Sequence, residues 1–378
     1  MILKLKLTIV VIVVCSILSS CKGSEELNEL HIVHSIAVDS GQNGGVKLTA
    51  EIAKLSTGGN QPKGMQNRTF YLTGEGKSLF EAARLMRVKS DRTLLWGHTT
   101  SILFSEDVAK LGIGKHIRAI RQLRQFRNSA LVYVMKGNAY EALQVTMPNV
   151  AITSLALRGL TEGASITALT EKMSLIDIYK ELVNHYEDLS IPAAQIVTDS
   201  SEKERRLLQT VGIYSFQGDR LIGLMKERET KGYLRAGNKL SGAVETLKCD
   251  DGQTISFENT SNKSRLKVSV DSNMRPVIRI EIYADLNLTS LQCKDSEVTP
   301  GKISDWENSL NERISEDINQ YIDFSQRNKV DLLGVGEIIH RRHPKQWKKM
   351  KEDWDTIYAS SRFNVEVHSR IDHTNFIY

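Results

Sequence analysis

The sequence predicts a multi-domain α+β or mixed α/β fold in which mixed sheets carry flanking helices. The chain has 378 residues, enough for two or three domains at roughly 100–200 residues each. Its 40% hydrophobic and 25% charged residues are typical of globular proteins that bury a core. Predicted strands mostly follow one another, with helices segregated between groups of strands, which is the pattern of this fold class. A mean hydropathy of -0.28 argues against a protein with many membrane spans.

Residues 1–20 have the features of an export signal, so we exclude them from the fold. Lys4 and Lys6 precede an apolar run from residue 7 to residue 18. A helix of these twelve residues is about 18 Å long, short of the roughly 30 Å of a bilayer core, and therefore fits a signal sequence better than a membrane span. Loss of both lysines lowers the formal net charge from +5 to +3, which is too weak to indicate nucleic-acid binding.

The signal ends in Leu18-Ser19-Ser20-Cys21, which resembles a bacterial lipobox. Small residues fit a peptidase pocket, and the thiol of Cys21 is the nucleophile that would take a lipid thioether. The alternative is an ordinary signal peptide with an incidental cysteine. A diacylglyceryl group on Cys21 supplies two acyl chains, which hold a protein stably at a membrane. We therefore expect the mature chain to be anchored at the outer face of a membrane, and we expect no cofactor besides this lipid.

In the first half of the chain, local patterns predict both strands and helices. The apolar segment 30–38 and the alternating segment 46–53 form partner strands around a glycine-rich turn. Residues 78–86 form a helix, because apolar residues recur at the i, i+3, i+4 and i+7 positions from Leu79. Further strands are predicted at 68–73, 99–104 and 130–135, and further helices at 117–126, 138–143 and 174–184. Residues 106–109 begin a short helix that stops at Gly112-Ile113. Residues 147–168 fit either a helix or a strand.

A charged stretch at 199–206 is predicted to be an inter-domain linker. It divides the mature chain into an N-terminal domain at 21–200, built as one unit or as two subdomains, and a C-terminal domain at 205–375. The clearest helix of the second half spans 303–326, where an apolar stripe runs from Ile303 to Tyr321. The rest of this half is rich in predicted strands, at 210–215, 220–225, 245–248, 254–257, 265–270, 277–284 and 362–367.

No complete catalytic or metal-binding motif is present, so we do not expect an enzyme. The segment 73–78 ends like a phosphate-binding loop but has Tyr71 where that loop requires its first glycine. His340 and His343 enclose two arginines and precede Pro344, which disfavours a metal site. The sequence also lacks the G-x-S-x-G motif that anchors a hydrolase triad.

Cys249 and Cys293 are the two cysteines of the strand-rich half. Outside the cytoplasm they could form a disulfide. Such a bond would close a loop of about 45 residues and contribute roughly 3–4 kcal/mol in the chain-entropy model. Two separate buried thiols are the alternative, because the sequence does not supply the distance between the Cα atoms.

The strongest charge feature is a basic segment between residues 339 and 354. Trp347, Met350 and Trp354 follow an i, i+3, i+7 stripe through it. We favour an amphipathic helix with a solvated basic face and two core tryptophans. The alternative is a contact with a partner or an anionic leaflet, at up to roughly 1 kcal/mol for each charge. The six cations that lie within eleven residues are Arg341, Arg342, Lys345, Lys348, Lys349 and Lys351.

Several short segments follow one another in an order that is hard to reach by chance. None of them is a chemical motif. They are Glu29-Leu30, Gly76–Arg84, Leu95-Trp96-Gly97-His98, Glu106–Ile113, Gly137–Leu143, Phe216–Gly223, Glu229-Thr230-Lys231-Gly232, Gly334-Val335-Gly336-Glu337, Pro344-Lys345-Gln346-Trp347 and Trp354. Together they resemble the Ger(x)C family of spore germination lipoproteins, the C subunits of nutrient germinant receptors, over nearly the whole mature chain.

Three positions depart from the family pattern. Residues 121–127 lack the acidic residues that often stand among the arginines there. Leu332-Leu333 replaces a common Pro-Phe, and Lys22 follows the cysteine where a tryptophan is often near. These departures bear on which receptor the chain serves rather than on its fold.

The resemblance implies a non-enzymatic C subunit that is anchored through Cys21 at the outer face of the inner spore membrane or cell membrane. It implies integral-membrane A and B subunits as partners, and a role in assembly or coupling that the germination response requires. It transfers no catalytic, cofactor-binding or metal-binding residue to this chain. The alternative is a solute-binding lipoprotein of the outer membrane face with a ligand in an interdomain cleft. A surface hydrolase would need paired acids or a metal site, and the sequence offers neither.

Overall fold

The computed structural model describes residues 26–54, 69–145, 147, 150, 152–184, 186–200, 205–294 and 297–374. The predicted signal sequence at 1–20 and the predicted lipid attachment site, Cys21, lie outside the described residues. The middle of the predicted linker, 201–204, also lies outside them.

The first half of the described chain, with the start of the second, builds a mixed sheet of nine strands. Their order is β3-β2-β1-β5-β6-β7-β8-β9, and β4 pairs with β1 beside this path. The strands β1, β5, β6 and β7 run parallel, whereas the neighbours on either side run antiparallel. The strands are β1 Leu30–Ser40, β2 Val46–Ala53, β3 Thr69–Gly76, β4 Thr93–Leu95, β5 Ser101–Ser105, β6 Leu131–Met135, β7 Ser190–Thr198, β8 Arg206–Gln217 and β9 Arg220–Met225.

The four parallel strands begin at the same end of this sheet, which we call the amino end. Ser35 of β1 pairs with Ser101 of β5, and Ser101 pairs with Leu131 of β6. Val134 of β6 then pairs with Ala193 of β7. Because parallel neighbours share one direction, the segments that lead into β1 and β7 lie at this end. We call the opposite end, where these strands finish, the carboxyl end.

Helices cover both faces of the first sheet. Successive residues of a strand point to opposite faces, so Ile102 packs with α1, α3 and α6, whereas Leu103 packs with α4 and α5. Burial on both faces explains why β6 is apolar throughout and why the centre of β5, residues 102–104, is apolar. These helices are α1 Leu79–Met86, α2 Glu106–Leu111, α3 Gly114–Gln122, α4 Ala139–Leu143, α5 Thr153–Thr167 and α6 Leu175–Val183.

Side-chain caps determine where several of these helices begin. Ser78 accepts a hydrogen bond from the backbone N–H of Glu81 at the start of α1. Ser174 and Asp177 form a reciprocal capping box at the start of α6. Such caps satisfy N–H groups that have no partner inside the helix.

The remainder of the described chain packs helices on a second sheet of order β10-β11-β12-β13. The strands β10 to β12 are antiparallel, and β13 runs parallel to β12. The strands are β10 Ala243–Lys248, β11 Thr254–Val270, β12 Pro276–Leu291 and β13 Arg362–Thr374. The helices are α7 Glu227–Ala236, α8 Pro300–Asn328, α9 Val335–Arg342, α10 Pro344–Met350 and α11 Trp354–Ala359.

One prediction of secondary structure was wrong in the second half, and one helix there was missed. The segments 254–257 and 265–270 belong to one strand, β11, because the polar residues between them pair with β12 through two register shifts. The helix α7 was not predicted. Its buried face includes Lys231 and Arg235, so it lacks the apolar periodicity that indicates a core helix.

The first sheet continues across the predicted linker. Thr198 of β7 pairs with Arg206 of β8, so the segment between them joins two antiparallel neighbours of one sheet. Both β8 and β9 complete the first sheet, and the second sheet begins only after α7. The division into domains 21–200 and 205–375 stays a prediction.

Candidate functional site

The six predicted basic residues lie along α9, α10 and the turn that follows α10, and all six are exposed. Two of them are paired: Arg341 lies 3.7 Å from Glu337, and Lys351 lies 3.0 Å from Glu352. Within the described part of the chain, the other four form no ion pair. We call the six residues Arg341, Arg342, Lys345, Lys348, Lys349 and Lys351 the basic surface.

The helix α10 separates its charges from its apolar residues. Lys345, Lys348 and Lys349 are spaced i, i+3 and i+4, so they share one face. Trp347 and Met350 lie on the opposite face and are 5% and 1% exposed. This is the arrangement of an amphipathic helix with a solvated basic face, and it leaves the cations free to meet a partner or a leaflet.

The tryptophan side of α10 packs on the segment that leads into β7. The ring of Tyr186 stacks on His340 with centroids 4.1 Å apart and meets Trp347 edge-on at 5.6 Å. Trp347 in turn packs against Trp354 at 5.1 Å. A groove of about 470 Å³ lies beside these rings, with Lys348 on its wall. The basic surface is therefore attached to the amino end of the first sheet.

Next to this attachment, Asp188 and Asp331 join the segment that leads into β7 to the segment that leads into α9. The backbone N–H of Asp331 donates to Asp188 Oδ2 at 2.8 Å, and the N–H of Asp188 donates to the carbonyl of Asp331 at 3.0 Å. The Asp331 carboxylate accepts from the N–H groups of Val335 at 2.9 Å and Gly336 at 2.7 Å, which caps α9. Gly334 stands before this helix at φ 63°, a left-handed conformation that glycine adopts without strain.

Burial controls the electrostatics of this junction. Desolvation raises the pKa of Asp331 to about 7 and the pKa of Asp188 to about 6, although hydrogen bonds from backbone N–H groups oppose both shifts. Desolvation also raises the pKa of Glu181 to about 8. The three carboxyl groups line a cavity of about 280 Å³. No group of three or more His, Cys, Asp or Glu side chains suited to a metal ion occurs in the described residues.

Cys249 and Cys293 are joined as a disulfide, and their Cα atoms are 6.1 Å apart. Cys249 follows β10, and Cys293 follows β12. Asp251 reinforces the same crossing, because its Oδ2 accepts from the N–H of Lys294 at 2.8 Å. The bond therefore ties the end of β10 to the end of β12 across β11.

A buried ionic network between α7 and the second sheet is absent from the sequence predictions. Arg235 donates to Glu245 Oε1 and to Asn259 Oδ1, each at 2.7 Å. Lys231 lies 3.5 Å from the same glutamate. One feature of the sequence could have indicated this network. Glu245 stands two residues after Ala243 in β10 and therefore lies on the same buried face of the strand.

None of the helices described is both long enough and apolar enough to span a bilayer. The apolar side of α10 faces the protein core, and its cations face outward.

Two family models match consecutive parts of the chain. The model described as "Spore germination protein N-terminal domain" matches residues 23–196. The model described as "Spore germination B3/ GerAC like, C-terminal" matches residues 211–375.

Other spore germination proteins, and a solved structure, match nearly the whole length of this chain. Spore germination protein KC of Bacillus subtilis (strain 168) is 24% identical over 379 residues, which cover 95% of this chain and 92% of the relative. Spore germination protein B3 of the same organism is 22% identical, with 94% of each chain covered. The crystal structure of the GerBC protein has the same two-domain α+β fold, with a TM-score of 0.60, 19% identity, and coverage of 89% of this chain and 96% of that chain. The chain therefore belongs to the Ger(x)C family of spore germination proteins.

Proposed function

We propose that this chain is the lipid-anchored C subunit of a nutrient germinant receptor. In this role it assembles with the integral-membrane A and B subunits and couples nutrient binding by the receptor to the germination response. It catalyses no reaction. The observation that carries the proposal is the match of both family models, in order, to residues 23–196 and 211–375. A chain that matches both models retains both halves of the family architecture.

The anchor is the second part of the proposal. Cys21 follows a short basic segment, a twelve-residue apolar run and two small residues, the order that lipoprotein processing requires. A diacylglyceryl group on its sulfur would hold the chain stably at the outer face of the inner spore membrane. The anchor would thus bring the chain to the membrane where its multi-span partners reside.

The test is an affinity pull-down of the full chain, tagged at its C-terminus, from detergent-solubilised spore membranes. We expect the chain in the membrane fraction, together with two multi-span proteins identified by mass spectrometry. A chain that purifies alone, with no membrane protein, would contradict the proposed receptor role. A thermal shift of that chain with a small solute would then favour a solute-binding lipoprotein.

The chain offers a matched control for the anchor. Cys21→Ala should move the protein out of the membrane fraction and remove the lipid from its N-terminal peptide. Cys15→Ala alters a cysteine inside the predicted signal, so it should leave both properties unchanged. Equal membrane retention of the two variants would show that Cys21 carries no anchor.

A further inference from the structure

We propose that the basic surface lies flat against the anionic outer leaflet of the membrane to which the chain is tethered. The inference rests on the proposed function in one respect, the anchor at Cys21. It adds an orientation: the amino end of the first sheet faces the lipid, and the cations of α9 and α10 contact its headgroups.

The first support is charge. All six cations are exposed, and four of them form no ion pair within the described residues. Only Glu352 and Asp353 oppose them between residues 341 and 353. Four of the six are lysines, whose compact charges on flexible stems suit a diffuse anionic surface better than a directional carboxylate site. Because Trp347 is buried, the contact would be electrostatic and without insertion of this helix.

The second support is the length of the tether. Five residue steps separate Cys21 from Glu26, where the described chain begins. A fully extended chain covers at most about 3.6 Å per residue, so these steps span no more than roughly 18 Å. Leu30, the first residue of β1, follows only four residues later. A lipid on Cys21 therefore holds the amino end of the first sheet close to the membrane.

The third support is the position of the basic surface at this same end. β7 is three strand spacings from β1, about 14 Å at the usual separation of hydrogen-bonded strands. Tyr186 precedes β7 by four residues and stacks on His340, which neighbours Arg341 in α9. The tether and the basic surface therefore share one end of the molecule, and a leaflet that reaches the tether also reaches the cations.

The experiment measures vesicle binding by the mature polypeptide 22–378 without its lipid, which retains every described element. Sedimentation compares vesicles of phosphatidylcholine with vesicles that also contain phosphatidylglycerol. We expect binding to the anionic vesicles only, and release as salt is added. The variant K345Q/K348Q/K349Q should lower the partition coefficient by about tenfold to a hundredfold, since each of the three charges contributes up to roughly fivefold at an anionic surface.

The matched control is K47Q/K77Q/K136Q. It removes the same number of lysines from the carboxyl end of the first sheet. Lys47 of β2 lies opposite Asp39 near the end of β1, Lys77 follows β3, and Lys136 follows β6. This variant should bind anionic vesicles within about twofold of the unaltered chain, because its charges face away from the leaflet. Equal losses in the two variants would mean that net charge alone drives binding and would overturn the proposal.

Two other outcomes also overturn it. One is an unaltered chain that does not distinguish the two kinds of vesicle. The other is a K345Q/K348Q/K349Q variant that binds vesicles normally but recovers fewer multi-span proteins in the pull-down, which would assign the surface to a protein contact. The vesicle assay contains neither the lipid on Cys21 nor any partner, so a negative result in it does not contradict the proposed receptor role. A negative pull-down, in turn, does not contradict the vesicle result.

Discussion

Arg235 on α7 donates a 2.7 Å hydrogen bond to Glu245 on β10, and the two side chains are 0% and 1% exposed. The pair joins a helix to the second sheet inside the protein core. Removal of one partner from a buried pair leaves an uncompensated charge, which costs far more than loss of an exposed pair.

We therefore predict that Glu245→Gln lowers the free energy of unfolding by about 3–5 kcal/mol. The substitution leaves both Arg235 and Lys231 without their carboxylate. Urea unfolding followed by circular dichroism measures the change.

The control is Glu366→Gln, which breaks an ion pair with Arg279 on the surface. That pair has a 2.9 Å separation, but its side chains are 51% and 44% exposed. We expect a loss of no more than about 1 kcal/mol, because water screens the pair. Similar losses for Glu245→Gln and Glu366→Gln would contradict the buried network.

Asp331 should make stability depend on pH. Burial, together with smaller contributions from the like charges of Asp188 and Glu187, raises its pKa to about 7. A carboxyl group with a raised pKa in the folded state binds a proton there that the unfolded chain has lost, so stability falls as pH rises from about 4 to about 7. Asp331→Asn should remove this contribution.

The measurement compares the free energy of unfolding of Asp331→Asn with that of the unaltered chain across this pH range. The variant loses a cap of α9 at every pH, but its disadvantage should shrink as pH rises, by at most about 4 kcal/mol. The control is Asp323→Asn, at an exposed position of α8. A constant difference for Asp331→Asn would refute the prediction.

Gly232 marks a close approach between α7 and α8. A Cβ atom built on this residue would overlap the backbone carbonyl of Asp317. Gly232→Ala must therefore push the two helices apart, and we expect a loss of about 1–3 kcal/mol of stability.

The same substitution elsewhere should have the opposite sign. Gly163 lies in α5, and a Cβ atom added to it would have no neighbouring atom within 4 Å. Gly163→Ala should raise the free energy of unfolding by about 0.5–1 kcal/mol, because alanine loses less conformational entropy in a helix. Thermal unfolding of both variants checks the pair. A neutral Gly232→Ala would show that α7 and α8 leave room for a methyl group between them.

The disulfide should stabilise the chain by restricting its unfolded state. Its cysteines are 44 residues apart in sequence, a separation for which loop closure is worth roughly 3–4 kcal/mol. Dithiothreitol should lower the urea midpoint of the unaltered chain and leave C249S/C293S unchanged at the lower value. Two thiols that react with a thiol reagent before any reduction would rule out the bond.

Much of the first sheet could be predicted because its elements have local causes. The apolar run at 30–38 became β1, and the apolar spacing from Leu79 to Met86 became α1. The predicted α+β or mixed α/β class is confirmed by the two mixed sheets and by the fold shared with GerBC. The family resemblance is also confirmed, since it depended on the order of short segments along the chain.

Long-range contacts decided what the local patterns missed. The segment that leads to β8 resembles a linker because it is polar, yet strand pairing between Thr198 and Arg206 makes it a connection within one sheet. Asp188 and Asp331 look like surface aspartates in the sequence. Only the fold buries Asp331 and joins the two through backbone hydrogen bonds.

The sequence by itself determined the apolar run before Cys21, most strands of the first sheet, the basic segment and the family, because each depends on residues that are neighbours in the chain. Tertiary structure alone decided that Arg235 pairs with Glu245 inside the core and that Tyr186 holds the basic surface at the amino end of the first sheet. These contacts join residues that are distant in sequence. Their energies depend on burial, which composition and periodicity do not report.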